Sequence, residues 1–176
     1  MSSWFGKNLP AQLHDECKPK NTMSLTKQIA KHLREVHIGG NWTWSNLQEH
    51  LAGMTWQQAT TQVHGFNSIA TLVYHMNYYL NAVTDRLQGK PLTAKHALSF
   101  IYTPITSQQD WENMVAKTWT DAEAFAAQIE QMPENLLWEN ISVEYGSYYR
   151  NIHGVIEHTH YHLGQIVLIK KLLADA

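Results

Sequence analysis

A stripe of apolar side chains at three-to-four-residue spacing, Ile69, Leu72, Val73, Met76, Leu80, Val83 and Leu87, runs through the middle of this chain. An α-helix puts residues at that spacing on one face, and that face must be covered by another element. Ser68 precedes the stripe as an N-cap, and Gly89 and Pro91 stop it. Three further segments show the same period. The first starts at Ser24, runs through Leu25, Ile29, Leu33 and Val36, and ends at Gly39-Gly40. Another opens near Thr106 or Ser107, carries Trp111, Met114, Val115, Ala122, Phe125 and Ile129, and is limited by Pro133. The last runs from about Arg150 to Leu173, with Ile152, Val155, Ile156, Ile166, Val167, Ile169 and Leu172. Four long helices with one shared core predict an all-α fold, a four-helix bundle.

The connections carry short extra helical segments. One lies around Leu47 and Leu51, and Thr55-x-x-Gln58 reads as a capping box opening another. Residues 92 to 106 form a longer connection, and no segment reads convincingly as a strand. Residues 1 to 23 lack periodicity and contain Pro10 and Pro19, so they read as an irregular N-terminal extension. That leaves one bundle domain over 24–176, a size that buries a core without covalent staples.

Composition narrows the function classes. A formal charge of -2 on 176 residues advertises neither nucleic acid nor an anionic membrane as partner. No apolar run approaches the ~20 residues of a membrane span. The one cysteine, Cys17, allows no intrachain disulfide, which suits a reducing cytoplasm. Histidine is abundant, with 11 residues.

The last helix holds four of these histidines. His158 and His162 are one turn apart, roughly 40° around the axis and about 6 Å along it. Val155, Ile166, Ile169 and Leu173 lie near their direction, so this pair points inward, whereas His153 and His160 fall on an outer face with Glu157. Two neutral imidazoles at this spacing can grip one divalent ion. A third ligand is offered by His75, beside the apolar stripe of the second long helix. Three imidazoles would leave a position open, as catalytic zinc sites do. Nickel, iron, manganese or cobalt would also accept imidazole. The alternative is three core histidines bonded to carbonyls or water. Gln165, three residues after His162, is placed to bond to a ligand ring, and Gly164 is expected to serve close helix approach. Tyr79 and Trp44, with Tyr74, Tyr78 and Trp42, are candidates to line a pocket above the ion. Asp85 and Glu157 are candidate partners for a ligand's second ring nitrogen.

Two segments together resemble the DinB/YfiT-like superfamily of metal-dependent enzymes. Ser68 to Met76 is similar to the helix that carries that family's first histidine, and Ile156 to Ile166 is similar to its H-x-x-x-H-x-G-Q signature. The resemblance covers about residues 25 to 174. It implies a bundle in an up-down-down-up arrangement with a long second-to-third crossover. It implies one divalent metal, zinc or nickel foremost, on His75, His158 and His162, with His160 not coordinating. It further implies a homodimer and a small-molecule substrate, with low-molecular-weight thiols as cofactors in some members. The expected activity is a thiol-dependent transferase or a hydrolase, in which the metal lowers the pKa of a water or thiol and polarises an electrophile. Arg86 or Arg150 would meet the carboxylates of such a thiol. The alternative is a non-catalytic metal-binding or stress-related bundle. An open coordination position beside a roomy pocket would favour the enzyme, and one plugged by Trp or Tyr would favour the structural role.

Overall fold

The computed structural model describes residues 23–174. The N-terminal extension read at residues 1 to 23 and Cys17 therefore lie, Met23 apart, outside the described residues. The described chain is mostly helical. Four long helices, α1 (Leu25–Ile38), α4 (Ile69–Leu87), α5 (Gln108–Gln131) and α6 (Tyr148–Ala174), are joined by connections that hold two five-residue helices, α2 (Leu47–Leu51) and α3 (Trp56–Thr60).

The helix starts are set by side chains that the sequence displays. Ser24, Ser68 and Ser107 each accept a backbone N–H from the first turn of α1, α4 and α5, and Thr55 and Gln58 form the reciprocal capping box of α3. Each long helix buries one apolar face, from Ile29, Leu33 and Val36 on α1 to Ile152, Ile156 and Ile166 on α6. Together these faces form a single core.

Cross-helix contacts show which helices neighbour one another. Arg34 of α1 binds Glu123 and Glu130 of α5, while the N–H of Leu25 reaches Glu134 just beyond α5, so these two helices run in opposite directions. Between α4 and α5, Asn77 donates to Thr118 and Asn81 to Asp121, and the pairs advance together along both helices. Between α4 and α6 the order reverses: Leu72 lies by Ile169, and His75 by His162 and His158.

One expectation is corrected. A small antiparallel hairpin, β1 (Asn140–Ser142) and β2 (Gly146–Ser147), stands where no strand was read, because strands this short carry no readable alternation. The connection from 92 to 106 contains a 3-10 turn, His96–Phe100, packed against α4.

Candidate metal centre

Helix α6 places His158 and His162 one turn apart with their rings edge to face, 4.4 Å between centroids. The antiparallel α4 brings His75 to the same point, 4.9 Å from each of the other two rings. One ring nitrogen from each of the three lies within 4.8 Å of the others. His75 and His162 are buried and His158 is half-buried.

Hydrogen bonds fix two of the rings. The Ser99 hydroxyl donates to the His96 carbonyl at 2.6 Å, so its remaining role toward His75 Nδ1, 2.8 Å away, is acceptor. His75 therefore carries its proton on Nδ1 and turns the Nε2 lone pair to the centre of the triad. His162 Nδ1 donates to Gln165 Oε1 at 2.6 Å, which frees its Nε2 in the same way. His158 Nε2 stands 2.9 Å from His162 Nε2, so without an ion the one proton between them belongs to His158. For His158 to act as a ligand through Nε2, that proton moves to its Nδ1.

The electrostatics suit a cation. Burial, followed by the charge that His162 and His96 would carry, pushes the His75 pKa down to about 4. His158 is pushed to about 4 by burial, then by His162 and His75. Burial also lowers His162, against the bond it donates to Gln165. All three are neutral near pH 7, the form that binds metal. Four ligands at Zn–N distances of 2.0–2.1 Å have nitrogens about 3.3 Å apart, so the triad, whose nitrogens lie within 4.8 Å of one another, fits a small divalent ion once the rings draw together.

A cavity of about 520 Å³ opens beside His75 and His158. Its wall includes Tyr79 and His96 on one side and Arg150, Asn151 and Glu157 on the other. The Tyr79 hydroxyl lies 3.1 Å from His96 Nδ1, and its ring stands edge-on to both His75 and His158. Phe100 stacks on the His75 ring at 4.4 Å. A second cavity of about 520 Å³, lined by Tyr74, Tyr78 and Tyr102 between α4 and α5, has no triad member in its wall.

Of the residues proposed around the triad, Gln165 and Tyr79 are in place. Trp44 is not. It sits on the loop after α1 with 89% of its surface exposed, beside Trp42 at 93%, and neither lines the cavity. Tyr74 and Tyr78 line the second cavity instead. Asp85 is bonded to Lys90 and Glu157 to His153, so neither supports a ligand ring. Nothing approaches within 4 Å of a side chain built on Gly164, so this glycine does not serve close packing. Arg86 donates to the Ile141 carbonyl, whereas Arg150 lines the cavity. Sequence reasoning missed Ser99, His96 and Phe100. Their only signal was a histidine in the connection already known to follow the His75 helix.

No family model, no curated protein and no solved structure matches this chain.

Proposed function

We propose that this chain is a metal-dependent enzyme of the DinB/YfiT-like kind, holding one divalent ion on His75, His158 and His162 and acting on a small molecule in the adjoining cavity. The observation that carries this reading is the convergence of three neutral imidazoles at the edge of a cavity of about 520 Å³ whose described wall includes Tyr79 and Tyr145 and no tryptophan. When bound, the ion supplies Lewis-acid chemistry, acidifying a water or a small thiol and polarising an electrophile. The rest falls to the chain itself. Ser99 and Gln165 hold two ligand rings in the correct tautomer. Arg150, Asn151 and Glu157 offer polar groups that orient a substrate, and the Tyr79–His96 pair holds an exchangeable proton at the cavity wall.

Zinc and nickel suit three imidazoles best, with iron and manganese as alternatives. The reaction is a thiol-dependent transfer or a hydrolysis. The up-down-down-up arrangement of a four-helix bundle belongs to the same reading, supported by the contact order between α4 and α5. So do a homodimer, checked by sedimentation velocity, and a place in the cytoplasm. No described helix is long and apolar enough to cross a membrane.

The test is metal content by inductively coupled plasma mass spectrometry on untagged protein. About one tightly held ion per chain is expected, lost in His75→Ala, His158→Ala and His162→Ala and kept in His64→Ala. Loaded protein is then screened for thiol transfer and ester or amide hydrolysis. Wild type that retains no ion, even after reloading with zinc, nickel or manganese, sinks the proposal.

A further inference from the structure

Ten of the eleven histidines lie within the described residues, all but His14. His37, His50, His75, His96, His153, His158 and His162 each have a ring nitrogen in a hydrogen bond. Among the described residues, His32, His64 and His160 have none. His64 is exposed in the loop between α3 and α4. His32 of α1 and His160 of α6 meet each other, both half-buried, with ring centroids 5.8 Å apart and planes tilted by 48°.

We propose that His32 and His160 form a second binding site, for one zinc, nickel or copper ion, that ties α1 to α6. Two imidazoles sharing one ion at ~2.0–2.1 Å per bond have centroids about 5–6 Å apart, the spacing of this pair. Imidazole nitrogens select these borderline ions over magnesium or calcium. Among the described residues no hydrogen bond or ion pair joins α1 to α6, whereas α1 is bound to α5 through Arg34 and α4 to α5 through Asn77 and Asn81. The ion supplies the missing polar tie. With two protein ligands and water at its other positions, this site binds more weakly than the triad and is accessible from solvent. It does not depend on the triad, since it uses neither its side chains nor its cavity.

The experiment is equilibrium dialysis of the full untagged chain, stripped with chelator, against zinc at pH 7.5, followed by elemental analysis and thermal unfolding. Wild type is expected to take up two ions per chain, and His32→Gln and His160→Gln one each. His75→Ala is expected to keep one weakly held ion that disappears when His32→Gln is added. Zinc beyond the first equivalent should raise Tm in wild type and not in His32→Gln. Two outcomes overturn the proposal: wild type that saturates at one ion retained by His32→Gln, or a second ion that survives in the His32→Gln/His160→Gln double variant. One ion in wild type that is lost in His32→Gln but kept in His75→Ala would support this site while refuting the triad. If His160→Gln does not fold, His32→Gln on the other helix decides alone.

Discussion

The Ser99 hydroxyl lies 2.8 Å from His75 Nδ1, although the two residues are 24 apart in the chain and Ser99 belongs to a short turn in a connection. Ser99 is fully buried, and its own proton is committed to the His96 carbonyl. The hydroxyl therefore fixes which nitrogen of His75 is free. Ser99→Ala removes the hydroxyl that accepts the Nδ1 proton while leaving the backbone at position 99 and all three ligands. Loss of such a partner lowers metal affinity by about 10–100-fold. Competition with a chromogenic chelator measures this, and unchanged affinity in a folded variant would show that Ser99 does not position the ring.

Asn77 and Thr118 set the register between α4 and α5. Asn77 Nδ2 donates to Thr118 Oγ1 at 2.7 Å, and that hydroxyl donates to the Met114 carbonyl, all in the buried interior. Thr118→Val keeps the shape and strands the amide N–H, which should cost about 1–3 kcal/mol in urea unfolding. Pairing it with Asn77→Leu should recover part of that loss, because the orphaned donor is then gone.

His37 makes stability depend on pH. Its ring is buried and donates from Nδ1 to the Leu33 carbonyl at 2.7 Å, and burial pushes its pKa down from 6.5 to about 4. The charge that His160 on α6 would carry pushes in the same direction. Between these two values the unfolded chain binds a proton that the folded chain refuses. The contribution is therefore whole above pH 6.5 and lost as pH falls toward 4. Between pH 7 and pH 5 the loss is roughly 2 kcal/mol. His37→Phe should flatten the pH dependence of unfolding free energy by about that amount, and equal slopes in the two proteins would contradict the assignment.

Gly164 and Gly154 both stand in α6 with open space where a side chain would go. Alanine at position 164, on an exposed face, should stabilise the helix by about 0.5–1 kcal/mol and leave metal binding unchanged. Alanine at 154 should stabilise similarly, but it narrows the cavity that Gly154 lines. Differential scanning calorimetry reads the first effect. A substrate found in screening reads the second as a raised KM confined to the 154 variant.

The sequence displayed whatever repeats or caps. Ser24, Ser68 and Ser107 mark their helices because a side-chain oxygen at that position has a defined partner three residues on. His75, His158 and His162 were legible because helical phase converts spacing into direction. Gln165 followed by the same arithmetic. Ser99, His96 and Phe100 were not legible, because a five-residue turn has no period and its position over α4 is decided by the crossover's tertiary packing. Trp44 was misread for a related reason: a large apolar residue in a loop is expected to find cover, yet Trp44, at a backbone φ of 55° on the loop after α1, is exposed. The His32–His160 meeting depends on how two helices are rotated against each other, which neither helix encodes by itself.

Arg150, Asn151, Gly154, His158, His162 and Gln165 all ride on the uninterrupted helix α6. Such a helix works as a camshaft: each added or removed residue turns everything on one side of the change by about 100° relative to the other. A single-residue deletion between Gly154 and His158 would swing the cavity wall away from intact ligands, whereas the same deletion after Gln165 would spare both. Length changes in this chain should therefore be tolerated near the end of α6 and in connections other than the one that carries the His96–Phe100 turn, and binding specificity can drift by side-chain exchange along the shaft but not by changing its phase.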